Sequence, residues 1–302
     1  MSSTASPTVT AAAAPVGPPP PAQAVPAPGA WRRVLRRPLA MAGIAILGLY
    51  VLAVTIGPTL DPTKAGDTTA APLLGIGAHG HPLGTDELGH DLLARYLVGG
   101  RPLLIVAFSS CILASLLGTL IGLVSGYWRG PLDSVAMRTM DVLLALPVVL
   151  LAVLLAASLG AGLGNLVIAI SVAQIPYVAR FVRQLTAREA TRDYVRSAKA
   201  LGLPAWKVMF GEILPNIAGP LLVQATSILA VSAGFAAGLS FIGVGLPPTV
   251  ADWGYMVKVE EQFVFGYPML VVIPALLITG FVLATNLVGD ELRDVFDPRT
   301  VR

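Results

Sequence analysis

The sequence is short of charge. Of 302 residues only 12% are Asp, Glu, Lys or Arg, where a soluble domain carries about 25%. Hydrophobic residues make up 55%, and mean hydropathy is +0.76. These values exclude an ordinary soluble globular domain. Cysteine occurs once, as Cys111 inside an apolar run, which excludes an intrachain disulfide. No Gly-Lys pair occurs anywhere, so there is no phosphate-binding loop of the Walker type, and the chain is not expected to hydrolyse ATP. No nucleophile–base constellation stands out, so no enzyme active site is expected. The first thirty residues have no charge and no apolar period, only Ala, Pro, Ser, Thr, Val and similar types, a composition that builds no core and predicts a disordered tail over 1–30. No secretory signal is recognised at the extreme N-terminus. The net charge of +3 and pI near 9.2 do not point to nucleic acid, because the basic residues lie in loops beside apolar runs.

What the sequence has in abundance is apolar runs long enough to cross a bilayer. Six lie at 39–58, 103–125, 142–159, 163–179, 217–242 and 268–288, each near the ~20 residues that a membrane helix needs. None of the six contains Asp, Glu, Lys, Arg or His. Helices satisfy their own backbone in lipid, so the expected fold is all-α, a polytopic membrane protein with six transmembrane helices in a permease domain over 31–302. Orientation follows from the basic residues. With the N-terminus inside, Arg32, Arg33, Arg36, Arg37, Arg129, Arg138, Arg180, Arg183, Arg188, Arg192, Arg196, Lys199, Lys207, Arg293, Arg299 and Arg302 fall on the cytoplasmic side. Only Lys64, Arg95, Arg101 and Lys258 of the 20 basic residues fall outside, which predicts both termini in the cytoplasm.

Two loops carry most of the remaining information. The segment 180–216 holds seven of the basic residues and reads as two short helices. Asp193 is placed as the cap of a helix through Leu201, Gly202 as its left-handed end, and Pro204 in the first turn of a second helix from Ala205 to about Ile213. A helix, a glycine break and a helix form a knob suited to docking in a groove; the plain alternative is an ordinary basic loop. The external segment 59–101 contains His81-Pro-Leu-Gly-Thr-Asp-Glu-Leu-Gly-His-Asp-Leu-Leu-Ala-Arg95. Thr85 is expected to cap a short amphipathic surface helix with Asp86 and Glu87 in its first turn and Leu88, Leu92, Leu93, Tyr96 and Leu97 on one face. His79, His81, His90, Asp86 and Asp91 match no standard metal-ligand spacing, and no metal is assigned. Gly118, Gly122 and Gly126, and Gly234 and Gly238, are spaced for close helix packing within the bundle. Pro147 and Pro176 are expected to kink their helices. Arg138 and Asp141, three apart, are expected to pair.

Several of these motifs resemble those of ABC importer permeases. Ala198, Gly202, Leu214 and Pro215 match the family's cytoplasmic coupling loop at its spacing, whereas Arg196, Ser197 and Glu212 depart from it. The run from His81 to Asp91 resembles the signature preceding the second span in dipeptide, oligopeptide and nickel importers, with His90 where the family has Arg. Arg138-Thr-Met-Asp-Val-Leu-Leu-Ala-Leu-Pro147, Gly245-Leu-Pro-Pro, Asp252-Trp253-Gly254 and Asn286 to Arg299 are similar to further family motifs in the same order. On this resemblance the chain is identified as a member of the C-type permeases. The resemblance implies a type I ABC importer permease fold and a plasma-membrane location. It implies an ATPase-coupling loop carried by Ala198, Leu201, Gly202, Leu203, Ala205, Leu214 and Pro215. The implied partners are a homologous B-type permease, two ATP-binding subunits (or a fused one), an extracytoplasmic solute-binding protein and the lipid bilayer, with no nucleic acid. ATP and Mg would be held by the ATPase subunits and no cofactor by this chain. Peptides are the expected substrate; nickel or another small solute is the alternative. An ion-coupled secondary transporter is disfavoured by spans without ionisable residues, and a non-transporting scaffold by the coupling loop.

Overall fold

A computed structural model describes residues 34–60, 65–68, 70–78, 80–247 and 249–296 of the chain. The tail expected to be disordered therefore lies outside the described residues, as does His79. Among the described residues the regular secondary structure is all helical, with no strand and only two isolated bridges, Ala78 with His81 and Thr85 with Asp91.

Helix α1 spans Pro38–Leu60 and α2 spans Leu92–Trp128. Helices α3 (Pro131–Leu144) and α4 (Val148–Leu159) follow, then α5 (Leu163–Glu189). Two short helices come next, α6 (Asp193–Ala200) and α7 (Ala205–Lys207). A π-helical turn, Val208–Ile213, leads without a break into α8 (Leu214–Ile242). Helix α9 (Trp253–Glu260) and α10 (Met269–Phe296) complete the described helices. Helices α1, α2, α5, α10 and the continuous stretch Ala205–Ile242 are each long and apolar enough to cross a membrane.

The third expected span is different. Instead of one helix over 142–159, α3 and α4 meet at an angle of 87°, and together they make at most one broken span. The break has a local cause. Pro147 offers no N–H and disfavours helical geometry in the residue before it, so the chain leaves the helix at Ala145 and resumes after Pro147, whose ψ is 131°. Pro176 by contrast lies inside the continuous α5.

Helices α2 and α5 form the tightest pair, and glycine explains it. A Cβ on Gly118 would sit 2.6 Å from Val178 Cβ, on Gly122 2.5 Å from the Ala179 carbonyl, and on Gly126 2.7 Å from the Arg183 carbonyl. In lipid, apolar side chains gain little by moving from one apolar medium to another, so close van der Waals contact and interhelical hydrogen bonds hold such a bundle. Ser110 Oγ donates to the Val167 carbonyl (3.3 Å), and Gln174 Nε2 donates to Ser232 Oγ (2.8 Å) between α5 and α8, both side chains being buried. Helix α10 packs on α8 and α1. There Tyr50 donates to the Leu277 carbonyl (2.8 Å) and stands edge-on to Trp253 and Phe281. The second expected glycine pair behaves otherwise. Gly234 and Gly238 on α8 have no atom within 4 Å of a built Cβ, so they do not pack within the chain.

Candidate functional site

The end of the bundle formed by the C-termini of α2, α5 and α10 and the N-terminus of α1 carries the basic segment. Arg37 reaches Glu291 (2.8 Å) and Asp294 (3.0 Å), tying α1 to α10. Arg183 grips Asp133 through two hydrogen bonds of 2.5 and 2.6 Å, and Arg180 pairs with Asp141. These bonds fix the elbow helix α3 against α5. They also correct the expected Arg138–Asp141 pair: Asp141 is taken by a residue of another helix, and Arg138 is exposed.

Helix α6 does not begin as the sequence predicts. Asp193 is its first helical residue rather than its cap, and the N-cap residue Arg192 makes no side-chain capping bond. The chain turns on Glu189 instead. This buried carboxylate accepts from Tyr194 Oη (2.8 Å) and pairs with Arg192 Nε (3.0 Å). Burial and the Glu189 hydrogen bond push the Tyr194 phenol well above its usual range. The end of α6 follows the sequence expectation. Gly202 has φ +77°, its N–H donates to the Lys199 carbonyl (3.0 Å), and Leu203 N–H donates to the Ala198 carbonyl (3.2 Å). This pair of bonds is a Schellman closure, which needs a left-handed residue at Gly202.

The second helix is also longer than expected. Pro204 is its N-cap, and the helix runs through the π turn, in which Leu214 N–H reaches back five residues to the Met209 carbonyl, into α8. Pro215, which has no N–H and crowds the carbonyl four residues back, follows that turn directly.

The seven residues expected to form the coupling surface divide. Ala198 is buried against the core; Leu203, Ala205 and Leu214 are half-buried; Leu201, Gly202 and Pro215 are exposed. The exposed surface is built from Leu201 with two side chains the sequence reading left out, Trp206 and Phe210. Their exposures are 79%, 60% and 42%, high for large apolar side chains at the polar end of a bundle. Trp206 and Phe210 are four residues apart, the spacing that puts two side chains on one helix face, so the signal was in the sequence. Beneath them Val195, Val208, Met209 and Ile213 are buried and anchor the knob to the bundle. Lys199 lies 4.5 Å over the Tyr127 ring, and Lys207 lies 5.5 Å from the Trp206 ring.

The opposite end holds the second conspicuous loop. No separate surface helix forms over 85–91. Thr85 Oγ1 donates to the Ala71 carbonyl (2.7 Å) and accepts from Leu74 N–H (2.9 Å), so it staples two loops instead of capping a helix. The cap is Asp91, whose Oδ1 accepts from Ala94 N–H (2.8 Å) while Oδ2 lies 2.8 Å from His81 Nδ1. Leu92, Leu93, Tyr96 and Leu97 begin α2 itself. Asp86 is saturated. Its Oδ1 accepts from Leu88 and His90 N–H (2.9 and 2.8 Å), and its Oδ2 meets Arg95 Nη1 (2.8 Å) and His90 Nδ1 (2.7 Å). Gly84 and Gly89 have φ near +85°, and a Cβ on either would fall 2.1 or 2.3 Å from a backbone oxygen of the neighbouring loop. The His81–Asp91 motif is therefore a self-bonded clasp that caps α2. Asp252 caps α9 through Tyr255 N–H (3.0 Å), and Trp253 Nε1 donates to the Tyr96 carbonyl (2.8 Å) with its ring over Gly99 and Gly100.

Long apolar helices, a bundle with one basic end, and an apolar knob on that end define a multi-pass membrane permease subunit. Residues 118–302 match the family model for the binding-protein-dependent transport system inner membrane component, and residues 28–73 match the N-terminal transmembrane domain of oligopeptide transport permease C. The chain belongs to this family of ABC transporter permeases. It is 33% identical over 285 residues to a dipeptide transport system permease protein of Alkalihalophilus pseudofirmus, covering 93% of this chain and 94% of that one. It is 36% identical over 275 residues to a di/tripeptide transport system permease protein of Pseudomonas aeruginosa, covering 89% and 91%. It is 36% identical over 271 residues to a glutathione transport system permease protein of Pectobacterium atrosepticum, covering 89% and 90%.

Proposed function

We propose that the chain is one permease half of an ATP-driven importer of di- and oligopeptides, with the knob as its contact to the ATPase. The observation that carries the coupling role is the exposed Leu201, Trp206 and Phe210 surface, held out by the Gly202 turn on the basic end. An apolar patch at the wet end of a membrane bundle marks a protein contact. The excess of Lys and Arg on that end argues that it faces the cytoplasm, where ATP is available. Both termini then lie inside, and the Asp86 and Asp252 end faces outward toward a solute-binding protein. ATP and Mg are held by two ATP-binding subunits, or one fused one, beneath this chain. Its other partner is a homologous B-type permease. The open faces of Gly234 and Gly238 on α8 suit close approach by another helix, which supports that pairing.

The peptide substrate is supported by the names of the relatives, and glutathione, itself a tripeptide, is the substrate named for one of them. The test is uptake of labelled di- and tripeptides by cells with and without the gene. The expected result is uptake lost on deletion and restored by the gene. Unchanged peptide uptake, with nickel or another solute lost instead, would overturn the peptide reading.

A further inference from the structure

We propose that Glu87 and Glu260, beside the already bonded Asp86, hold a divalent cation that ties the clasp loop to the end of α9. One carboxylate oxygen from each lies within 4.8 Å of the others. The set differs from the five residues weighed on sequence, because His81 and His90 are engaged by Asp91 and Asp86, and Glu260 is far away in the chain. Proximity of acids alone would carry nothing. The independent observation is that Glu260 is only 3% exposed, yet its Oε2 has no hydrogen-bond partner; Glu87 Oε2 is likewise buried and unpartnered. Both side chains line a cavity of about 400 Å³ together with Asp86, His90, Arg95 and Tyr255. A buried carboxylate oxygen that meets no donor is destabilising, so something has to compensate it.

Charge balance indicates what that is. Among the described residues lining the cavity, three carboxylates face one guanidinium, Arg95, which is bonded to Asp86. Glu87 and Glu260 together carry two negative charges when both are ionised, which one divalent cation neutralises. All the donors are carboxylate oxygens, a hard set suited to Ca²⁺, and to Mg²⁺ with retained waters. Glu87 comes from the loop before α2 and Glu260 from the last turn of α9, so the ion cross-links two elements that the backbone does not join.

The test uses the EDTA-washed, nucleotide-free complex in nanodiscs, titrated with Ca²⁺ alone and with Mg²⁺ alone. Thermal midpoint is one readout, and Tb³⁺ luminescence sensitised by Tyr255 is the other. Wild type is expected to show a saturable rise in midpoint, with half-saturation between roughly 10⁻⁵ and 10⁻³ M, and Tb³⁺ emission displaced by Ca²⁺. Glu260→Gln and Glu87→Gln should each weaken the response at least tenfold. Glu260→Gln removes charge from the cluster, so its metal-free form should be no less heat-stable than wild type. No saturable response in wild type, or an unchanged response in both variants, overturns the site. So does stabilisation that follows pH while added cation does nothing, which would assign the Glu87–Glu260 contact to a shared proton. None of these failures bears on the peptide reading.

Discussion

Replacing Gly202 isolates the coupling turn from the rest of the fold. No atom lies within 4 Å of a Cβ built there, so a side chain meets no clash. The cost is purely conformational, because φ is +77°. An L-residue in the left-handed region costs roughly 1–2 kcal/mol, more for a β-branched side chain, while Asn tolerates it best. The predicted order is therefore Gly, then Asn, then Ala at about 1 kcal/mol, then Val at about 2 kcal/mol or more. A loss of 2 kcal/mol is roughly a thirtyfold shift in population away from the Schellman closure. Breaking it releases the Leu203–Ala198 bond and so changes how Leu201 is placed relative to the helix that carries Trp206. The assay purifies the complex for each variant and measures ATPase-subunit retention and hydrolysis stimulated by the loaded binding protein. Membrane insertion should be equal across the series, with retention or stimulation falling in the predicted order. A Val variant equal to wild type, or one that loses membrane insertion along with coupling, would refute the reasoning.

Three further outcomes follow from the packing and charge. Gly122→Val, whose Cβ would sit 2.5 Å from the Ala179 carbonyl, should cost about 1–3 kcal/mol by overpacking and lower the yield of monodisperse protein, whereas Gly48→Ala, with nothing within 4 Å, should not; equal yields would contradict the α2–α5 account. Burial raises the Asp252 carboxyl to about 6, so the folded state binds this proton more tightly than the unfolded chain, and the favourable contribution present in acid is lost as pH rises through about 6. Asp252→Asn keeps a capping oxygen and should raise the thermal midpoint at pH 8 but not at pH 4; the same change at both would remove the argument. In a background lacking Cys111, cysteines at Thr68 and Thr249, both exposed, should react with an impermeant reagent from outside intact cells, and reaction only after permeabilisation would invert the topology.

Much of the bundle could be read from the sequence because membrane helices announce themselves by uninterrupted apolar length, and five of the six expected runs fall in long helices. What the runs could not convey was their ends. Helix α2 begins at Leu92 and α5 continues to Glu189, because polar residues at a membrane end stay helical when partners such as Asp133 and Glu189 satisfy them. Pro147 was read as a kink, yet the break is nearly a right angle, an amplitude set by how α3 lies against α5. In the knob, Gly202 was legible because left-handed backbone selects glycine. Trp206 and Phe210 were legible as one helix face from their spacing and were passed over, and the fold adds that this face stays uncovered. Glu87 and Glu260 could not be associated at all, since only the tertiary fold brings them together.

The central claim is that the exposed knob transmits ATP hydrolysis to the spans. Leu201→Asp with Trp206→Asp tests it most directly, since both side chains are largely exposed and contribute little to the fold of this chain. Centrally placed apolar anchors are worth about 2 kcal/mol or more each at an interface, so affinity for the ATPase subunits should fall about thirtyfold for either change alone and further for both together. The measurement is ATPase-subunit binding to the reconstituted permease pair, with labelled peptide uptake in the same vesicles. The account predicts that both are lost while the permease remains inserted and monodisperse. Normal ATPase binding and normal uptake in the double variant would contradict it.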